Sequence, residues 1–155
     1  PVLGALEDDP DTESISFLTH SMGGILARYT LQQKRFDKIH RMVMLAPPNG
    51  GSRLAGISLG PLTRVLPAIA QLSEAPDSLP NRLLEPGDIE IGIIAASSDF
   101  IVRLANTALP NQRDHCVIES NHFELPRHAE AIRKAIQFLQ CGRFEPIPTF
   151  RRIAA

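Results

Sequence analysis

The sequence predicts an α/β domain, a parallel sheet of about four strands flanked by helices. Short apolar runs at residues 15–18, 39–46, 89–96 and 115–118 alternate with other segments, some of clear helical spacing, which calls for right-handed crossovers between parallel strands. The second run carries apolar side chains on both parities, as a strand covered on both faces does. Polar residues able to do chemistry lie just past three of the runs, and the carboxyl ends of strands are where an open parallel sheet builds its site.

Residues 1–14 are polar and acidic around Pro10 and read as the end of a helix or a loop leading into the first strand. From that strand the chain passes Ser21 into a segment whose apolar positions, Met22, Ile25, Leu26 and Tyr29, recur at helical spacing. A sharp strand-to-helix turn follows, with the Ser21 hydroxyl held out and small residues expected on either side, Thr19 and Gly23, to keep strand and helix from colliding. Residues 32–38 form a polar turn, and Pro47-Pro48-Asn49-Gly50-Gly51-Ser52 stops the second strand. Between residues 53 and 86, Pro61, Pro67, Pro76, Pro80 and Pro86 rule out one long helix and leave short helices and turns. This apolar excursion is a candidate lid that would favour lipophilic substrates; the plainer reading is a surface loop packing its leucines on the domain. Residues 100–112 connect the last two strands. A final helix over 126–140 is expected to start on Pro126, to bury Ala129, Ile132, Ala135, Ile136 and Leu139, and to be capped by Gly142.

With 155 residues, 43% hydrophobic and 21% charged, the chain suits a single domain over 1–155 with a core of its own. Lys plus Arg number 16 against 17 Asp plus Glu, a formal net charge of -1 without runs of like charge, which argues against nucleic acid or an anionic membrane as partner. Cys116 and Cys141 have neither a metal spacing nor a disulfide framework, so reduced thiols are expected, with a single bridge left open. No stretch approaches the ~20 apolar residues of a membrane span, and no basic-then-apolar leader opens the chain, so the cytoplasm is the expected location.

Thr19-His20-Ser21-Met22-Gly23-Gly24 resembles the nucleophile elbow of the α/β-hydrolase superfamily, with threonine where the family has its first glycine. Val43-Met44-Leu45-Ala46-Pro47-Pro48-Asn49-Gly50-Gly51-Ser52 is similar to the stretch after the elbow helix in lipase-like members, and Phe138-Leu139-Gln140-Cys141-Gly142-Arg143-Phe144 to their C-terminal end. The resemblance covers nearly the whole chain and implies the C-terminal half of a bacterial lipase or esterase. It implies Ser21 as nucleophile, Asp99 as orienting acid and His122 as general base and acid, in the family's chain order. The backbone N–H of Met22 would be an oxyanion donor at the positive end of the elbow helix. No metal and no organic cofactor is implied. Among the acids, Glu119 stands at the correct strand end and Asp114 at the wrong one, while Asp99 could instead be a helix N-cap. Among the histidines, His115 and His128 sit in expected strand and helix, and His20 is expected to point away from the catalytic side once the elbow forms.

The family's sheet has about eight strands, so the N-terminal half of the fold, with its second oxyanion donor, is expected to be missing. The first strand would then present an apolar edge open to self-association or to another chain. The function that follows is hydrolysis of small-molecule or lipid carboxylic esters through an acyl-enzyme on Ser21. A non-catalytic remnant or binding module with an incomplete oxyanion hole is the alternative, and an acyltransferase is a further one.

Overall fold

The computed structural model describes residues 2–56 and 71–145. The middle of the expected lid, residues 57–70, therefore lies outside the described residues. Strands β1 (Ile15–His20), β2 (Ile39–Leu45), β3 (Glu90–Ala96) and β4 (Asp114–Ile118) form one sheet in the order β1-β2-β3-β4, and every neighbouring pair is parallel. β1 runs further than its apolar stretch, because Thr19 and His20 stay in register with Met44 and Leu45 up to the turn itself. The helices are α1 (Val2–Asp8), α2 (Met22–Gln33), the short α3 (Arg53–Gly56) and α4 (Leu79–Arg82), and α5 (Ala129–Cys141). The two short ones fit the proline spacing: α3 lies between Pro48 and Pro61, and α4 carries Pro80 in its first turn, where a missing N–H is tolerated, and ends before Pro86.

Both faces of the sheet are covered, which explains the doubly apolar strands. Met42, Met44, Ile91 and Ile93 pack with Leu109 and, from α2, Ala27 and Leu31. On the other face Val43, Leu45, Ile94, Ala96 and Ile118 meet Ala131, Ala135 and Phe138 of α5. Burying side chains of this size is worth about 1.5–3 kcal/mol each, so the two layers fix the strands that carry the site. Gly92 is required by close approach: a Cβ there would lie 2.7 Å from the Phe138 ring.

The final helix differs from expectation. Pro126 sits in a separate 3₁₀ turn, Leu125–Arg127, and α5 begins at Ala129. It buries Ala131, Lys134, Ala135 and Phe138, whereas Ile132 and Ile136 are 43% and 51% exposed. Both stripes satisfy the helical period; the seat for Phe138 over Gly92 selects one of them. Lys134 keeps its charge satisfied by reaching Glu145 at 2.8 Å. Gly142, at φ 73°, caps the helix through its N–H to the Phe138 carbonyl at 2.7 Å, as expected.

β1 is an edge strand, and its Leu18, beside buried Val43, is 53% exposed. Cys116 and Cys141 are both free thiols, so the bridge left open by the sequence is not formed. Burial pushes the Cys116 thiol up to about 11. Among the described residues, no helix is long and apolar enough to cross a membrane.

Candidate active site

The site begins at the turn between β1 and α2. Ser21 has φ 52° and ψ -126°, a conformation that costs a non-glycine residue about 1–3 kcal/mol and persists only where its surroundings impose it. They do so here: the Ser21 N–H donates to the Leu45 carbonyl at 2.8 Å, and α2 starts at the next residue. The close approach behind the serine falls on Gly24 and not on Gly23. A Cβ at Gly24 would collide with the Met44 methyl and touch Pro47 and Thr19, while one at Gly23 would meet only Thr19 at an ordinary 3.8 Å. Thr19 is accommodated because its hydroxyl turns to the Val43 carbonyl, 3.3 Å away.

Asp99 follows β3 in a tight turn that its own side chain organises. One carboxylate oxygen accepts from the backbone N–H groups of Ile101 and Val102 at 2.8 and 2.9 Å, and the other from His122 Nδ1 at 2.7 Å. Both side chains are almost fully shielded, at 2% and 4% exposure. Burial by itself would raise the Asp99 carboxyl, but the hydrogen bonds from His122, Val102 and Ile101 outweigh it and hold the group below the ordinary aspartate value. An ionised carboxylate only accepts, so Nδ1 of His122 carries the proton. Nε2 is then free to accept from the Ser21 hydroxyl, 2.9 Å away.

His122 is held from below by its own loop. The loops after β3 and β4 are tied by Ser98 N–H to the Ser120 carbonyl at 3.0 Å, and Asn121 accepts from the N–H groups of Phe123 and Glu124 at 3.1 Å. The competing acids are elsewhere: Glu119 is exposed, and Asp114 accepts from the Phe144 N–H. Asp99 organises a turn and holds His122, but it caps no helix: the next helical turn starts at Leu104, with Arg103 before it. His115 is paired with the Thr107 hydroxyl, and His128 precedes α5.

His20 corrects the sequence reading. It does not point away: its ring lies 4.9 Å from that of His122, and its Nε2 is 2.9 Å from the His122 carbonyl. β1 continues to His20, opposite Leu45 of β2, and sets that side chain beside the loop after β4. Burial lowers its pKa, helped by the neighbouring His122 and opposed by its hydrogen bond and by Asp99. Met22 is the first residue of α2, where backbone N–H groups have no intrahelical acceptor.

Beside Ser21 lies a cavity of about 370 Å³ with mainly apolar walls from Met22, Ala55, Leu72, Ile101, Val102 and Phe123. Phe100 and Phe123, 64% and 60% exposed with ring centroids 6.3 Å apart, directly follow Asp99 and His122 in sequence. That repeated pattern was visible in the sequence and went unread. Among the described residues, no group of three or more His, Cys, Asp or Glu side chains is placed to hold a metal ion.

Residues 3–58 match the family described as PGAP1-like alpha/beta domain. Among solved structures, the chain is similar to the mature form of a Bacillus licheniformis lipase, at 15% identity and a TM-score of 0.69, with 90% of this chain on 70% of that one. It is also similar to a metagenomic carboxyl esterase, at 15% identity and TM-score 0.65, with 80% of this chain on 49% of that one. An Arabidopsis methylesterase matches at 19% identity and TM-score 0.51, with 90% of this chain on 74% of that one. The chain thus spans about half the length of the carboxyl esterase and 70% of the lipase. No curated protein matches it in sequence. At such identities the likeness is one of fold.

Proposed function

With the α/β-hydrolase fold as its framework, we propose that this chain is a serine hydrolase that cleaves carboxylic esters through an acyl-enzyme on Ser21. One observation carries the reading: Ser21 Oγ, His122 and Asp99 form a continuous hydrogen-bonded chain, with links of 2.9 and 2.7 Å, beside an apolar cavity. The names of the structural neighbours, a lipase, a carboxyl esterase and a methylesterase, support ester cleavage among the many chemistries this fold hosts.

The steps follow from the donors and acceptors present. As Ser21 Oγ attacks the carbonyl carbon, its proton passes to His122 Nε2, and Asp99 stabilises the imidazolium through Nδ1. The developing oxyanion accepts from the Met22 N–H, a donor whose loss typically costs about 3–4 kcal/mol in barrier. The same Nε2 proton goes to the departing alkoxide, leaving an acyl group on Ser21. A water then attacks the acyl carbon and gives its proton to Nε2, and the bond to Ser21 Oγ breaks as that oxygen takes the proton back and the acid is released.

The apolar walls suit an acyl or alkyl group, so small lipophilic or lipid esters are the substrate class. Ala55 and Leu72, which stand before and after residues 57–70, contribute to those walls, so the described ends of the 53–86 excursion bear on the cavity. The open edge of β1, with Leu18 exposed, supports pairing with another chain or a complementing segment. A non-catalytic binding module that keeps these side chains is the second reading. Fluorophosphonate labelling separates the two: stoichiometric adduct on Ser21, absent in Ser21→Ala and lost in His122→Ala, is expected. A folded chain that takes no label would overturn the hydrolase reading and favour the binding module.

A further inference from the structure

We propose that His20 is a positioning residue for His122, a fixed tie between the strand that carries the nucleophile and the loop that carries the base. The proposal rests on the serine-hydrolase reading and adds a function to a side chain that the reaction scheme leaves unused. Ser21 and His122 come from opposite edges of the sheet, β1 and β4, with β2 and β3 between them. Among the described residues, two hydrogen bonds join the turn at Ser21 to the His122 loop: the Ser21–His122 bond and the bond from His20 Nε2 to the His122 carbonyl. The first must break and re-form in every turnover. The second involves no proton in transfer and stays intact throughout.

A carbonyl oxygen only accepts, so His20 donates from Nε2. Its neighbour Ser21 is covalently next in the chain, which makes the path from the tie to the nucleophile one residue long. The tilted rings, 4.9 Å apart at 49°, also limit how far the His122 imidazole can swing from Ser21. Near-attack geometry is sensitive to shifts of this kind, since about 1 Å of misplacement can cost 100-fold in rate. The groups facing His20 are His122 and Asp99. A neutral His20 fits this place, because a second cation there would oppose the imidazolium that His122 becomes.

The test compares His20→Phe, which keeps a ring and removes the donor, with His20→Gln, which keeps an N–H of similar reach. Three readouts are taken on folded protein: the rate of fluorophosphonate labelling at Ser21, kcat and KM for a p-nitrophenyl ester, and the low-field proton resonance of His122 Nδ1. His20→Phe is expected to slow labelling and kcat about tenfold or more with KM within about twofold, and to broaden the resonance. His20→Gln is expected to retain most of each. Should His20→Phe not fold, His20→Leu takes its place. Wild-type rates and an unchanged resonance in the donor-free variant would overturn the proposal, as would a change in KM alone or equal damage in both variants. The hydrolase reading fails separately, if the wild-type chain neither labels nor turns over. The resonance comparison still judges His20 in that event.

Discussion

At the carboxyl ends of the strands the chain surrounds a cavity of about 370 Å³; at the amino ends it leaves a larger one, about 540 Å³, between the end of α2 and the approach to β3. The larger cavity is lined by more charge, including Arg28, Arg35, Asp37, Glu85 and Asp88. Those charges do not converge. Arg35 pairs with its near neighbour Asp37 at the surface, and buried Arg28 spends its guanidinium on the side chain of Asn49 and the carbonyls of Pro80 and Leu83, at 3.1, 3.4 and 2.8 Å. At the smaller cavity the Ser21 hydroxyl and the His122 imidazole line the wall, and the Asp99 carboxylate holds the imidazole from behind it. The contrast separates volume from chemistry: the same sheet puts scaffolding polar groups at one end and the proposed catalytic ones at the other, where loops leaving the carboxyl ends of the strands converge.

Substitutions at the two ends should therefore fail in different ways. Asp99→Asn leaves a partner for His122 that no longer stabilises the imidazolium, and kcat for an activated ester is expected to fall by about 10⁴ with KM little changed. A loss of less than about tenfold would mean that the two ends are not chemically distinct in this sense. Arg28→Met should do the reverse. It strands the Asn49 amide oxygen and two backbone carbonyls, so unfolding in urea should show a loss of about 3 kcal/mol while kcat of the folded fraction holds. Should kcat fall with stability intact, Arg28 would belong to the site after all.

The smallest effect concerns pH. Burial holds His20 below the ordinary histidine value, so the unfolded chain binds its proton more readily than the folded one. Stability then falls as pH drops through about 6.5 and levels off below the folded value. His20→Gln should flatten part of this Tm-against-pH slope; His115, which burial also lowers, acts in the same direction. An unaltered curve would mean that His20 is not desolvated as described.

The elbow was legible because its signals are local. An apolar run, a serine and a helical repeat within 15 consecutive residues define strand, turn and helix without reference to the rest of the chain. Gly24 was misread as Gly23 because the collision that demands a glycine comes from Met44, on the neighbouring strand. The α5 stripe was misread for a similar reason, since Ile132 and Phe138 lie on faces that both satisfy the helical period and only the gap above Gly92 discriminates between them.

What the amino-acid order determined by itself is the alternation of strands and helices and the doubly buried character of β2. Both follow from side-chain periodicity over a few residues, whereas the set Ser21, Asp99 and His122 was implied by the resemblance to α/β-hydrolases. The tertiary structure alone decided that Asp99 and not Glu119 meets the histidine, that His20 reaches the His122 carbonyl, and which face of α5 is buried. The physical reason is common to all three. They are meetings between residues far apart in sequence, 102 positions for His20 and His122, and sheet order and register fix where such residues come together.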